Sequence, residues 1–307
     1  MHVRGYQSRF PCPGGEKWDY WMRPAVATFD KVRPNIDSIH MTASSDSFYS
    51  NMDDQLIHEG DFHYIQEGEG PVFIFLHGLF GALSNFKEVK DHLIAKGFSV
   101  VIPRLPIYEL PVLKTNVKEI AKHIAAFIEH KGYDKVNLLG NSLGGHVGLV
   151  YALEHPEHVG SMLLSGSSGL YENAFGGSFP RREDKGYLRE KIALTFYDPE
   201  MVTDDLVEEC YDAVNDRGKI IRILSIAKSA IRHNMAKELD NYHMPVGLIW
   251  GKNDTITPPE VAVEFDEKLP NSSLYWIDKC GHAPMMERPV EFNAHLDTWL
   301  EKIALKA

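Results

Sequence analysis

The chain has 307 residues, enough for one large domain with an insertion or for two small domains. It carries 32 basic and 43 acidic residues, and the net charge of −11 without a basic run in the sequence argues against a nucleic-acid partner. No apolar run reaches transmembrane length, so we expect no membrane partner. The cysteines, Cys12, Cys210 and Cys280, lie far apart without a C-x-x-C pair, which favours a reducing, cytoplasmic compartment.

Residues 1–51 differ in composition from the rest of the chain. They are rich in proline and glycine and end in a polar run, so we expect an extension that is loosely packed or not packed at all. An alternative is an arm that docks a partner through its aromatic residues Trp18, Tyr20 and Trp21.

From residue 61 onward, short apolar runs alternate with segments of helical period. The runs predict strands near 62–66 and over 71–77, 98–102, 136–139, 159–164, 246–250 and 273–277. Helices are predicted over 85–96, 115–130, after residue 142, and over 290–303. This alternation predicts an α/β fold, a mostly parallel doubly wound sheet covered on both faces, over residues 52–177 and 240–307.

Residues 178–239 interrupt this alternation, because they contain helical patterns over 187–196, 204–214 and 219–228 but no strand pattern. We interpret the segment as a helical lid inserted over the carboxyl ends of the strands, where such sheets bind ligands. A helical excursion without a lid function is the alternative.

The sequence Gly140-Asn141-Ser142-Leu143-Gly144 matches the pattern G-x-S-x-G and lies between a predicted strand and a predicted helix. A strand-to-helix turn this tight strains the backbone of its central residue, and it requires small residues two positions before and two positions after. The turn would expose the Ser142 hydroxyl at a helix N-terminus, where backbone N–H groups favour developing negative charge. Ser142 is therefore the candidate nucleophile.

A serine nucleophile needs a base, and the base needs an orienting carboxylate. On this kind of sheet the three residues follow in the order Ser, acid, His, each at the end of a strand. Asp254 follows the strand predicted over 246–250, and His282 follows the strand predicted over 273–277. We therefore predict Ser142, Asp254 and His282 as a catalytic triad.

Two backbone N–H groups should stabilise the oxyanion of the reaction. One is that of Leu143, directly after the nucleophile; the other is predicted at Leu79, in the loop His77-Gly78-Leu79-Phe80-Gly81, with Phe80 as second choice. His77 is expected to brace this loop by hydrogen bonding.

Other residues are candidates for supporting roles. Cys280 is expected to be a small packing residue, and Asn85 to cap a helix, with contact to the substrate as the alternative. Neither metal nor cofactor is expected, since no metal-ligand motif is present. The aromatic and sulfur side chains near the lid could line a substrate pocket or simply pack the lid against the sheet; they are Phe80, Phe175, Phe179, Phe196, Tyr197, Met285 and Met286.

The segments HGLFG (77–81), GNSLGG (140–145), WGKND (250–254) and KCGH (279–282) resemble those of the α/β-hydrolase superfamily. The resemblance covers about residues 61–305 and implies the same triad as the spacing. Within the superfamily these segments look most like the branch of carbon–carbon bond hydrolases and esterases. The carbon–carbon hydrolases carry a lid arginine for the substrate carboxylate, for which Arg181, Arg182 and Arg189 are candidates.

Two classes of function follow. The first is a serine hydrolase that acts on a small or medium ester, with carbon–carbon hydrolase, lactonase, thioesterase or acyl transferase as variants on the same site. The second is a ligand receptor on the hydrolase fold with little turnover. In both cases the expected partner is a small molecule.

Overall fold

A computed structural model describes residues 55–81, 83–173 and 181–305. Over these residues the backbone forms one sheet with the strands β1 (Ile57–Glu59), β2 (Phe62–Glu67), β3 (Val72–Leu76), β4 (Ser99–Pro103), β5 (Val136–Asn141), β6 (Val159–Ser165), β7 (Val246–Gly251) and β8 (Ser272–Ile277). The strand order is β1-β2-β4-β3-β5-β6-β7-β8. The pairs β1–β2 and β2–β4 are antiparallel and all other pairs are parallel, which confirms the predicted mostly parallel sheet.

The helices follow the predicted alternation. They are α1 (Lys87–Ala95), α2 (Val117–Lys131), α3 (Leu143–Glu154), α4 (Lys185–Ala193), α5 (Asp204–Asn215), α6 (Arg217–Arg232), α7 (Pro259–Lys268), α8 (Pro284–Glu287) and α9 (Pro289–Lys302). Strand β1 and helices α7 and α8 were not predicted. Strand β1 has three residues and α8 has four, too few to show a period in the sequence.

The sheet is buried on both faces, because alternate residues of its strands pack into two different apolar cores. In β3, Ile74 and Leu76 join one core, whereas Phe73 and Phe75 join the other. The first core also contains buried residues of α2, α3 and α7, and the second contains those of α1 and α9. The period of two along the strand thus places helices on opposite faces.

Four predicted helix starts, those of α1, α2, α4 and α6, differ from the observed starts by two residues each. A 3₁₀ turn occupies Leu83–Phe86, so α1 begins only at Lys87, and Phe86 rather than Asn85 is its N-cap residue. The predicted capping role of Asn85 is therefore wrong. Helix α2 begins at Val117 because the side chain of Asn116 accepts a hydrogen bond from the Glu119 N–H, as N-cap residues do.

Helices α4, α5 and α6 lie between β6 and β7 in the chain and form the inserted segment. Each begins with a capping side chain, Asp184, Thr203 and Asp216 respectively, which explains why these three starts are sharp. Among the described residues, no helix combines the length and the apolar content needed to cross a membrane. The domain boundaries at residues 51, 177 and 239 stay predictions, and the extension predicted over 1–51 lies outside the described residues.

Candidate active site

Ser142 lies on a sharp turn between β5 and α3. Its φ of 54° and ψ of −121° are a conformation that residues other than glycine rarely adopt. A Cβ on Gly140 would lie 2.5 Å from the Cα of Gly145, and one on Gly144 would lie 1.9 Å from the carbonyl oxygen of Leu76. The requirement for glycine on both sides of the serine is thus confirmed.

Asp254 lies in the turn that follows β7, and its buried carboxylate accepts four hydrogen bonds. Oδ1 accepts from the backbone N–H groups of Ile256 (2.8 Å) and Thr257 (3.0 Å). Oδ2 accepts from the Thr257 hydroxyl (2.8 Å) and lies 2.8 Å from Nδ1 of His282. The carboxylate is therefore held in one orientation, facing the imidazole.

The loop that carries His282 follows β8 and is fixed by its own backbone. The His282 N–H donates to the Thr195 carbonyl (2.7 Å), and the His282 carbonyl accepts from Nδ2 of Asn141 (3.0 Å). Nδ2 of Asn141 also donates to the carbonyl of Ser165, at the end of β6 (2.9 Å). The neighbour of Ser142 thus ties the histidine loop to the ends of two strands.

Glu287 of α8 supports the same loop from the other side. One of its carboxylate oxygens accepts the Gly281 N–H and the other accepts the Asp198 N–H, both at 2.7 Å. Since both donors are backbone groups, the histidine loop is fastened to the inserted segment through a buried carboxylate. Nothing in the sequence pattern singled out Glu287.

Ser142 and His282 line one cavity, but their side chains do not hydrogen-bond to each other in this structure. The pair of His282 and Asp254 packs against the end of β6, since a Cβ on Gly166 would lie 2.9 Å from Nδ1 of His282 and 3.2 Å from Oδ2 of Asp254. The hydrogen bond between aspartate and histidine is formed, whereas the one between serine and histidine is not.

The residues predicted to provide the oxyanion donors, Leu79 and Leu143, also line this cavity. Leu143 is the first residue of α3, so its N–H has no acceptor within the helix. In the loop that carries Leu79, the Gly81 N–H donates to the Gly78 carbonyl (3.0 Å), and a Cβ on Gly78 would lie 3.4 Å from the Cβ of Ser142. The loop therefore curls beside the nucleophile.

His77 braces this loop, as predicted. Its Nε2 accepts the Leu105 N–H (3.0 Å), so the proton is on Nδ1, which donates to the Gly78 carbonyl (2.9 Å). Burial lowers the pKa of His77 to about 4, against the opposing effect of the hydrogen bond to Gly78. The imidazole is therefore neutral at pH 7 and acts as a structural bridge.

The cavity has a volume of about 720 Å³, and its wall is mostly apolar. The inserted segment supplies a large part of the wall, including Leu206 and Cys210 of α5 and Leu224, Ala227 and Ile231 of α6. This is the size of a site for a small ligand, and the role of the insertion as a lid stays a prediction. The ionisable residues of the wall, apart from the two histidines and Tyr108, are Arg104, Glu172, Asp205, Glu209, Cys210 and Lys228.

Glu172 is a cavity residue that sequence reasoning missed. Its Oε2 accepts the hydroxyl of Ser168 (2.5 Å), and the Ser168 N–H donates to the Ser142 carbonyl (3.1 Å). Burial raises the pKa of Glu172, while the hydrogen bond from Ser168 and the charge of His282 oppose this change. A second carboxyl group therefore lies near the histidine, in a loop where no motif indicated one.

Some of the residues predicted to line a substrate pocket do line the cavity, and others do not. Phe80 lines the cavity. Met285 does not: it is 2% exposed and packs in the core, whereas Met286 lines the cavity. Successive residues of a helix point about 100° apart, which separates the two methionines. Phe196 lines the cavity and Tyr197 is exposed, whereas Phe175 and Phe179 lie outside the described residues.

None of the three candidate lid arginines lines the cavity. Arg189 donates to the Val202 carbonyl and pairs with Asp204, and the guanidinium of Arg181 lies 4.5 Å from the ring centre of Tyr187. Arg182 is exposed. The cations that do line the cavity are Arg104 and Lys228.

Two further features concern cysteine and metal. Cys280 is buried and its Sγ lies 3.8 Å from the Gly281 carbonyl, and burial raises the pKa of the thiol, so its predicted packing role is confirmed. Over the described part of the chain, no group of three or more histidine, cysteine, aspartate or glutamate side chains is arranged to hold a metal ion.

Comparisons with known proteins agree with this geometry. The family model of the α/β hydrolase fold matches residues 71–190 and 198–289. A 2-hydroxy-6-oxo-6-phenylhexa-2,4-dienoate hydrolase of Comamonas testosteroni is 23% identical over 273 residues, which are 82% of this chain and 96% of that protein. A second relative, the 2-hydroxy-6-oxononadienedioate/2-hydroxy-6-oxononatrienedioate hydrolase 2 of Pseudomonas putida, is 25% identical over 77% of this chain and 92% of its own.

Among solved structures, an α/β hydrolase enzyme from the metagenome of Mar Chica lagoon sediments in Morocco is 44% identical. It superposes with a TM-score of 0.68, over 81% of this chain and 99% of its own. Together with the sheet order, the strained serine turn and the paired Asp254 and His282, these matches show that the chain belongs to the α/β-hydrolase family.

Proposed function

We propose that this protein is a serine hydrolase that cleaves small or medium carboxylic esters. The observation that carries the proposal is the buried pair of Asp254 and His282, at 2.8 Å, which opens onto the same covered, largely apolar cavity as the strained Ser142. An apolar cavity suits the uncharged ester group that reacts, and the paired imidazole is the base that a serine hydroxyl requires.

In the proposed reaction, Ser142 Oγ attacks the ester carbonyl while Nε2 of His282 takes the hydroxyl proton. Asp254 accepts Nδ1–H of His282, which keeps Nε2 free for this proton and stabilises the imidazolium that forms. The hydrogen bond from Ser142 to the imidazole forms in the substrate complex, since such hydrogen bonds are often loose in ligand-free sites and tighten in the complex.

The tetrahedral intermediate places negative charge on the former carbonyl oxygen. The backbone N–H groups of Leu79 and Leu143 are the proposed donors to this oxygen, and one such donor contributes about 3–4 kcal/mol to transition-state stabilisation. His282 then gives its proton to the leaving alcohol, and water attacks the acyl-enzyme by the same path in reverse.

The test is hydrolysis of p-nitrophenyl acetate, butyrate and octanoate by the wild type and by Ser142→Ala. We expect turnover by the wild type and a loss on the order of 10⁶-fold in kcat for the variant, since the nucleophile is removed. Ser168→Ala is the matched control, because Ser168 also lines the cavity but lies outside the triad. Equal turnover by the wild type and Ser142→Ala would reject the proposal.

A second candidate is cleavage of a carbon–carbon bond in a dienoate, which the names of the curated relatives favour. In the carbon–carbon hydrolases a lid arginine binds the substrate carboxylate, and none of the three lid arginines of this chain lines the cavity, which favours the ester. A vinylogous 1,5-diketone with a carboxylate, assayed beside p-nitrophenyl butyrate, separates the two. If kcat/KM is higher for the diketone than for p-nitrophenyl butyrate, cleavage of the carbon–carbon bond is the better assignment of the activity.

The alternative from another class is a receptor that binds a small molecule without turnover. A fluorophosphonate probe separates this alternative from a hydrolase, because it reacts only with an activated serine. Labelling of the wild type but not of Ser142→Ala supports the hydrolase, and a folded wild type that stays unlabelled supports the receptor.

For both functions we propose a cytoplasmic location. Cys210 and Cys280 are free thiols, and a reducing compartment keeps thiols in this state.

A further inference from the structure

A second concavity lies beside the cavity, between the start of α2 and the last turns of α6. This groove, which we call the cationic groove, has a volume of about 500 Å³ and is lined by Lys118, Lys228, Arg232 and His233 together with hydroxyl and amide side chains. The groove and the candidate active site are adjacent, because Lys228 lines both of them.

Three permanent positive charges meet in this groove, in a chain whose net charge is −11. Lys118, Lys228 and Arg232 are exposed, and none of them forms an ion pair with another described residue. The nearest acidic residue in the sequence, Glu119, is engaged by Lys122 at 2.6 Å. Like charges repel one another, so an unpaired group of three is more stable when an anion lies between them.

The two walls of the groove are fastened to each other, which fixes the backbone positions of the residues that carry the charges. The Val117 N–H, in the first turn of α2, donates to Oγ of Ser229 on α6 (3.2 Å). Oγ of Ser225, one turn earlier on α6, donates to the Thr115 carbonyl (2.9 Å). A site held in shape before binding loses less conformational entropy when its ligand arrives.

His233 adds a neutral donor. Its Nδ1 lies 2.9 Å from Nε2 of His146, a fully buried histidine whose own Nδ1 has no partner. If His233 donated, Nδ1 of His146 would be a buried N–H without a partner, whereas in the opposite direction it is only an acceptor without one, and buried N–H groups without a partner are the rarer of the two. We therefore assign the donor to His146, which leaves the proton of His233 on Nε2, free for a ligand.

We propose that the cationic groove binds the anionic end of the substrate, a carboxylate or a phosphate, while the ester bond of the same molecule lies over Ser142. Two lysines, an arginine and an imidazole N–H are the donors that oxyanions accept. Lys228 connects the two sites. The proposal deepens the proposed function, because it restricts the substrates to esters with a negative charge some distance from the reacting carbonyl.

The first arm of the test compares kcat/KM for the p-nitrophenyl monoester of glutaric acid, which is an anion, with kcat/KM for p-nitrophenyl butyrate, which is neutral. The variant is Lys118→Gln with Arg232→Gln; neither residue lines the active-site cavity. We expect the ratio of anionic to neutral kcat/KM to fall about tenfold, the size expected for two exposed charges on one anion. An unchanged ratio overturns the proposal.

The control carries the same change of charge elsewhere: Lys135→Gln with Arg217→Gln, both exposed and both outside the groove. It should leave the ratio within twofold of the wild type. An equal fall of the ratio in the control and in the groove variant would mean that the effect comes from the net charge of the protein and not from the groove. This result would also overturn the proposal.

The second arm does not depend on hydrolysis. The imidazole proton resonances of His233, assigned with a His233→Gln variant, are followed by NMR while inorganic phosphate or glutarate is added. A saturable shift in the wild type that weakens about tenfold in the groove variant supports the site, and the stronger probe identifies the preferred oxyanion. If no ester is hydrolysed, the proposed function fails, but this arm still tests whether the groove binds an anion. The absence of a saturable shift with both probes would overturn the proposal that it does.

Discussion

Asp254 holds the imidazole of His282 by its position in a network of four hydrogen bonds. Two of the donors are backbone N–H groups of the turn after β7, and a third is the hydroxyl of the fully buried Thr257. The fourth is Nδ1 of His282. Since the first three fix the carboxylate before any substrate binds, the orientation of the base is a property of the folded turn.

Replacement of Asp254 by asparagine tests this role at constant size. The amide group of Asn offers an N–H where His282 Nδ1 must donate, so the imidazole takes the wrong tautomer and Nε2 can no longer accept the serine proton. We expect kcat for p-nitrophenyl butyrate to fall on the order of 10⁴-fold, by analogy with the serine proteases, with little change in KM.

The matched control is Asp278→Asn. Asp278 follows β8 as Asp254 follows β7, but it is exposed and its carboxylate lies 3.8 Å from Nζ of Lys252. This variant should keep kcat within twofold of the wild type. A small effect of Asp254→Asn, comparable to that of the control, would contradict the assignment of Asp254 as the orienting acid.

Single residues were predictable from sequence where a strand end fixed their place. Ser142, Asp254 and His282 each follow an apolar run, and parallel strands bring their ends to one edge of the sheet. Glu172 and Glu287 have no such marker, because the loop and the short helix that carry them have no period. Their positions depend on three-dimensional packing alone.

At the scale of elements, the turn between β5 and α3 leaves no space for a side chain at its glycines. The first turn of α3 passes so close to the end of β3 that only glycine fits at position 144, whereas Gly148, one turn later, has ordinary clearance. The two glycines lie on the same face of one helix, so they form a natural comparison.

We predict opposite effects of alanine at these two sites. The Cβ of Gly144→Ala would lie 1.9 Å from a backbone oxygen of Leu76, which no side-chain rotation relieves, so we expect a loss of about 3 kcal/mol or more in the free energy of unfolding. The Cβ of Gly148→Ala would lie 3.4 Å from the flexible Leu76 side chain, and the gain in helix propensity is about 1 kcal/mol.

The measurement is urea unfolding of both variants and the wild type, monitored by circular dichroism. Gly144→Ala should also lower kcat, because the turn carries Ser142, whereas Gly148→Ala should not. Equal urea midpoints for the two variants would mean that the turn has room to relax. The close approach of Gly144 to the Leu76 carbonyl would then have no consequence for stability.

Elements were predictable from sequence where length and period were sufficient. Helix α2 shows five apolar positions at helical spacing and ends at Gly132, which has a φ of 65°, so its identity was clear and only its start was off by two residues. The start was wrong because Asn116 rather than Thr115 caps the helix. The cationic groove was not predictable, because its residues come from helices far apart in the chain.

At the scale of the whole molecule, two buried histidines couple the fold to pH. His77 braces the loop of the proposed oxyanion donors, and His146 lies in α3, one turn after Ser142, against His233. Burial lowers the pKa of His77 to about 4 and that of His146 to about 3. In the unfolded chain both regain the ordinary histidine pKa of about 6.5.

This difference sets the sign of the pH dependence. Between about pH 6.5 and pH 4 the unfolded chain binds two protons that the folded protein does not, so acid favours the unfolded state. We expect the free energy of unfolding to fall as the pH decreases through this window, by about 3 kcal/mol per pH unit near pH 5 from these two groups.

Denaturant unfolding at pH 7, 6, 5.5 and 5 measures this slope, and His146→Gln tests its origin. Removal of one of the two protons should reduce the slope by about 1.4 kcal/mol per pH unit. His243→Gln, which changes an exposed histidine, should leave it as it is in the wild type. A slope that is the same in all three proteins would mean that His146 does not resist protonation in the folded protein, and that the groups responsible for acid sensitivity lie elsewhere in the fold.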